Sequence, residues 1–146
     1  MIMMLAATKG KTWKERITSC MKEWKGSYSI VLLTQEGLYV ARDPNGFRPL
    51  CYGKVQEGVW AIASETCAML PLGCSEIKEV DAGQIIKFDN NGVEIFNVIE
   101  QTSPLSCCIF EYIYFARPDS IWNDIQIHNA RVRFGYYLAK SLPVKA

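Results

Sequence analysis

The chain has 146 residues, 49% of them hydrophobic and 21% charged, the balance of one globular domain with its own core and unlike a disordered segment. Sixteen Lys and Arg against fifteen Asp and Glu leave a net charge of +1, with no basic stripe or acidic tail, so neither nucleic acid nor an anionic membrane is indicated as a partner. The apolar opening Met1 to Ala7 lacks a charged leader and is too short to span a bilayer or form a signal core, so the expected location is cytoplasmic. In that setting Cys20, Cys51, Cys67, Cys74, Cys107 and Cys108 are read as reduced thiols, and none forms a C-x-x-C pair suited to zinc or thioredoxin-like chemistry.

In chain order, Thr12-Trp13-Lys14-Glu15 has the form of a capping box. Trp13, Ile17, Met21 and Trp24 then recur at helical spacing as far as Gly26, which predicts a first helix with a core-facing stripe. Strands follow over Tyr28–Leu33, Leu38–Arg42, Phe47–Tyr52 and Val59–Ala63, separated by turn residues, and short strands joined this way predict an antiparallel sheet. Ser64 is placed to cap a short helix from Glu65 to Leu70, which Pro71 and Gly73 end. Two further strands, Gln84–Phe88 and Val93–Val98, flank Asn90-Asn91-Gly92, a strong hairpin signal because Asn and Gly tolerate positive φ. Cys107 to Phe115 reads as an aromatic strand in which Glu111 needs a partner. Ile127, Ala130, Phe134 and Leu138 mark a last helix, weakened by Gly135 and closed by Pro143.

Few residues offer chemistry. His128 is the only histidine, so a hydrolase using histidine as base has one candidate, and it is read as a partly exposed helical residue. No G-x-x-x-x-G-K-[ST] or G-x-G-x-x-G cradle for phosphate occurs. Arg42-Asp43-Pro44-Asn45-Gly46-Phe47-Arg48-Pro49-Leu50 puts two arginines and an aspartate around a turn, read as an internal clamp in preference to direct ligand contact. Arg117-Pro118-Asp119-Ser120 is read as a second structural clamp.

These segments, with Ala63-Ser64-Glu65-Thr66-Cys67-Ala68, Glu79 to Ile85 and above all Cys108-Ile109-Phe110-Glu111-Tyr112 through Ser120, resemble in order the glutaminase half of the amidophosphoribosyltransferase family. The resemblance implies an α+β chain, part of an N-terminal-nucleophile hydrolase α/β/β/α sandwich with mainly antiparallel sheet. Residues 1–146 would be a partial class II glutamine amidotransferase domain lacking its N-terminal portion, with the phosphoribosyltransferase domain absent. In the complete enzyme, glutamine is hydrolysed by a terminal cysteine, and the ammonia displaces pyrophosphate from phosphoribosyl pyrophosphate to give 5-phosphoribosylamine, the first step of de novo purine synthesis. Met1 aligns beyond the middle of the glutaminase domain, so no catalytic or cofactor-binding residue carries over to this chain.

Many family members hold a 4Fe-4S cluster, and the cysteine before Ile-Phe-Glu-Tyr, here Cys108, corresponds to one of its ligands; the alternative is a strand thiol. The cluster and magnesium are expected only in the complete enzyme, as are glutamine and phosphoribosyl pyrophosphate. The expected partners are the full-length enzyme or further copies of the chain. Two other readings stand beside the catalytically incomplete piece: a non-catalytic module that pairs with the full-length enzyme, and an unrelated small α+β domain.

Overall fold

The computed structural model describes residues 1–99 and 105–144. A short helix α1 (Ile2–Ala7) precedes α2 (Trp13–Glu23), whose N-terminus is held as the sequence implies: the Thr12 hydroxyl accepts from Glu15 N at 3.2 Å. The reciprocal bond is shifted by one residue, since the Glu15 carboxylate accepts from Lys11 N rather than Thr12 N.

Four strands form the first sheet, in order β1 (Ser29–Thr34), β2 (Gly37–Arg42), β6 (Gln84–Asp89) and β7 (Gly92–Asn97), every pair antiparallel. Three strands form the second, in order β4 (Val59–Ala63), β3 (Cys51–Gln56) and β5 (Ser75–Glu79). A two-residue pair, β8 (Ile121–Trp122) and β9 (Ile125–Gln126), leads into α3 (Ile127–Ser141).

Alternation along β2 and β6 divides the core. Tyr39, Ala41 and Ile85 face α2, where Ile17, Cys20, Met21 and Trp24 cover them. Val40, Ile86 and Phe88 face the second sheet and meet Leu50, Tyr52 and Val80. The arrangement is helix on sheet on sheet, the α+β layering expected. Beyond the second sheet, on the Gly53 side of β3, two 3-10 turns (Thr66–Ala68 and Leu70–Leu72) bring in Met69.

Several expectations are corrected. The strand expected at Phe47–Tyr52 begins only at Cys51, because the carbonyls of Gly46 and Arg48 are taken by the Arg42 guanidinium and Pro49 has no N–H to give a ladder. The helix from Glu65 to Leu70 is replaced by the 3-10 turns, and Ser64 caps nothing; Glu65 turns its carboxylate toward Arg117 and Ser120 instead. The run Cys107–Phe115 is not a strand: it becomes helical from Ile109, with a π-helical segment over Glu111–Phe115. Tyr112 O within it and Ala116 O just after it accept from Arg131 of α3 at 2.9 and 2.7 Å, a tertiary contact that overrides the strand preference of aromatic residues.

The β6–β7 hairpin forms as predicted, but neither asparagine adopts positive φ. Gly92 does, at +125°, while Asp89 accepts from Asn91 N to close the turn. The opening Met1 to Ala7, assigned no element from its sequence, is helical from Ile2 and seats Leu5 in the core.

Candidate functional site

Arg42 leaves β2 directly beneath the Pro44-Asn45-Gly46 turn and is 2% exposed. Its Nε donates to Arg48 O at 2.9 Å, Nη1 to Val80 O at 2.7 Å and Nη2 to Gly46 O at 3.2 Å, with Glu79 3.5 Å away. Asp43 is fully buried and accepts from Tyr28 N, Asn45 N and Phe47 N. The clamp read from the sequence exists, although Arg42 and Asp43 do not pair with each other: each grips backbone, the cation holding carbonyls and the carboxylate holding amides. Gly46 closes the turn at φ +62°.

Along this turn runs the segment carrying Cys108. Ser106 N donates to Asn45 O at 2.8 Å and Cys108 N to Phe47 O at 3.1 Å. Glu111, expected to need a partner, has one in Arg48, whose Nε lies 2.5 Å from Oε1 as a charge contact without an aligned hydrogen bond. The Arg48 guanidinium also stacks 4.8 Å from the Phe115 ring centre. Burial raises the Glu111 carboxyl above its ordinary range, with Arg48 opposing the shift and Glu65 adding to it.

Glu65 ties the end of β4 to the second clamp. Its Oε2 accepts from Arg117 N at 2.7 Å and from the Ser120 hydroxyl at 2.8 Å, while the Arg117 side chain makes two bonds to Asp119. Between the two clamps lies a cavity of about 420 Å³ lined by Ser29, Arg48, Pro49, Ser64, Glu65 and Glu111. Sequence reasoning passed over the Glu65 anchor and over the β8–β9 turn, where Asn123 and Asp124 both adopt positive φ, at 48° and 58°. The signal for the turn was present, an Asn-Asp pair between Trp122 and Ile125.

The remaining candidates stand apart from this cavity. His128 is exposed in the first turn of α3, its backbone N–H donating to Pro118 O. Burial, with Glu79 and other neighbours adding, pushes the Cys51 thiol up to about 12, so it stays protonated at neutral pH and is a poor nucleophile. Cys108 is half-buried. Among the described residues no three His, Cys, Asp or Glu side chains converge as metal ligands.

A glutamine amidotransferase domain family matches residues 2–71. The amidophosphoribosyltransferase of Rattus norvegicus is 37% identical over 92% of this chain and 29% of its own length. That of Synechocystis is 38% identical over 94% of this chain and 28% of its own. Among solved structures, the allosteric regulatory enzyme of purine biosynthesis superposes with a TM-score of 0.91 at 33% identity, covering 99% of this chain and 31% of that one. The glutamine phosphoribosylpyrophosphate amidotransferase of B. subtilis, complexed with ADP and GMP, gives 0.87 at 33% identity, covering 98% and 31%. The chain thus spans under a third of the length of these relatives.

Proposed function

We propose a function from the premise that this chain is, in sequence and in fold, a stretch of the amidophosphoribosyltransferase family. It forms the C-terminal part of a glutaminase domain and supplies the frame rather than the reacting groups of an enzyme making 5-phosphoribosylamine from phosphoribosyl pyrophosphate and glutamine. The observation that carries this reading is the joining of the Arg42–Leu50 turn, Glu65 and the Cys108–Ser120 segment, three of the four motifs of the resemblance, into one hydrogen-bonded unit. Within it the residues have holding roles: Arg42 and Asp43 fix the turn, Glu65 fixes the Arg117–Ser120 corner and Arg131 caps the π-helical segment. A 4Fe-4S cluster with Cys108 as one ligand, and magnesium, belong to the complete enzyme, and a cytoplasmic location accompanies the reading.

The test is release of glutamate from glutamine by the purified 146-residue chain, with and without phosphoribosyl pyrophosphate. No turnover above buffer is expected. Sustained turnover, with every longer chain excluded by mass spectrometry, would overturn the framing role.

A second reading, a module that pairs with the full-length enzyme, is favoured by one observation. Val31 and Leu33 on edge strand β1 are 52% and 80% exposed, and Tyr114, Tyr137 and Leu138 are more than half exposed as well. Co-purification with full-length enzyme, together with altered glutamine hydrolysis, would support that reading; a monomeric chain that captures no full-length enzyme would refute it.

A further inference from the structure

Two Asn-Gly pairs occur in the chain, Asn45-Gly46 and Asn91-Gly92. This dipeptide carries a chemistry of its own. Glycine has no Cβ to shield its amide nitrogen, so that nitrogen can reach the side-chain carbonyl carbon of the preceding asparagine and close a five-membered imide. The fold holds the two pairs in opposite ways.

Asn45-Gly46 is locked inside the Arg42 clamp. Asn45 N donates to Asp43 Oδ1 at 2.9 Å and Asn45 O accepts from Ser106 N at 2.8 Å. Gly46 is buried, its amide donating to Asp43 O at 3.1 Å and its carbonyl accepting from the Arg42 guanidinium. Turning the Gly46 nitrogen onto Asn45 breaks several of these bonds at once, so the imide forms there only after the turn opens. Asn91-Gly92 sits instead at the tip of the β6–β7 hairpin. Asn91 is exposed, and its side-chain amide has no hydrogen bond among the described residues. Gly92 is the last rung of a hairpin at the sheet edge, opposite Asp89, and such ends open at almost no cost; nothing stands within 4 Å of where its Cβ would lie. Beside the tip, a cleft of about 290 Å³ reaching Lys54, Glu57 and Trp60 admits the water that reopens the ring.

We infer that Asn91 is a site of spontaneous deamidation, which the folded chain undergoes there while sparing Asn45. The Gly92 nitrogen bonds to Asn91 Cγ, the Cγ–Nδ2 bond breaks, and Nδ2 leaves as ammonia with the proton given up by the Gly92 amide. Water then opens the imide at either carbonyl. Opening at Cγ leaves an aspartate, and opening at the backbone carbonyl leaves an isoaspartate, whose main chain runs through the former side chain. Either product carries a new negative charge that cancels the formal net charge of +1. That charge arises beside Asp89, whose carboxylate already engages Lys87 at 2.6 Å and the Asn91 backbone amide at 2.8 Å. The isoaspartate also adds a methylene to the main chain of a tight turn, which slips Gly92 from its place opposite Asp89 and loosens edge strand β7 first.

Incubating the 146-residue chain in mildly alkaline buffer, folded and in urea, tests this, with peptide mapping by mass spectrometry and detection of isoaspartate by an isoaspartate-specific methyltransferase. In the folded chain, position 91 is expected to gain the mass of an amide-to-acid exchange at least about tenfold faster than position 45, because opening of the clamp must precede reaction there. In urea the two rates should converge to within about threefold, since both asparagines then precede a glycine in an open chain. Isoelectric focusing of the aged folded chain should show one acidic step that comigrates with Asn91→Asp. Asn91→Gln, whose longer side chain closes the ring poorly, should lack that step. No isoaspartate at position 91, equal rates at the two positions in the folded chain, a difference that persists in urea, or an acidic species undiminished in Asn91→Gln would each overturn the inference.

Discussion

Replacing Arg42 with methionine keeps most of the side-chain volume and removes the guanidinium. Three carbonyls, those of Gly46, Arg48 and Val80, then lose their donors in a place that water does not reach, since Arg42 itself is 2% exposed. An unpaired buried acceptor costs about 1–3 kcal/mol, and partial relaxation of the turn brings the sum to roughly 3–5 kcal/mol. Glu79 adds little, because it is 26% exposed and is hydrated once its partner is gone. Against a domain stability of about 5–15 kcal/mol, Arg42→Met should therefore shift the urea midpoint far down and leave the fold marginal. Arg42→Lys, which keeps one charge but not the fork, should cost about half as much. The assay is equilibrium urea unfolding followed by tryptophan fluorescence and far-UV dichroism together. A loss below about 1 kcal/mol in Arg42→Met would refute the idea that the guanidinium secures the turn.

Four further outcomes follow from the same geometry. Gly46→Ala should cost about 1–2 kcal/mol in the same unfolding assay, because φ is +62° and the added Cβ would sit 2.7 Å from Leu105 Cδ2. Glu65→Ala should speed amide exchange at Arg117, whose N–H loses its acceptor, while the amides of β6 keep their protection. Glu111→Gln should stay within about 1 kcal/mol of the parent, because burial rather than the Arg48 charge dominates that carboxyl. Cys51 and Tyr28 both titrate near 12 in the folded chain, from ordinary values of 9.0 and 10.0, so above pH 9 the unfolded state releases protons first. The stability these two groups contribute is therefore whole below pH 9 and is lost as pH rises toward 12, and Cys51→Ala should flatten that fall between pH 9 and 10; an unchanged slope would exclude Cys51 as its source.

The elements with a clean period and clear punctuation were legible: α2 from its cap and stripe, β1, β2, β6 and β7 from alternation between turn residues. Strand β5 was not legible, because Ser-Glu-Ile-Lys-Glu offers one apolar side chain and pairs only with β3. The Cys107–Phe115 run misled for a different reason: a short aromatic stretch fits helix and strand alike, and what decides it is Arg131, distant in sequence. At the clamp, the turn itself was readable, but the Arg42 contact with Val80 spans 38 positions and leaves no local trace. Cys108 could be singled out only through the family resemblance, since a lone thiol carries no spacing signal.

The first sheet is interrupted in sequence rather than in space. After Arg42 the chain departs, builds the whole second sheet, and returns at Gly83, whose N–H bonds back to Arg42 O at 3.2 Å before β6 pairs with β2. The second sheet is thus an excursion with a tied neck, and closing a loop of roughly 40 residues costs on the order of 3 kcal/mol in chain entropy. Because the knot lies at Arg42 and Gly83, lengthening or shortening the β3–β4 connection leaves that closure and the β2–β6 register untouched. That connection is free to be rebuilt by evolution or by design, whereas the neck, and the strand faces that pack on the first sheet, are not.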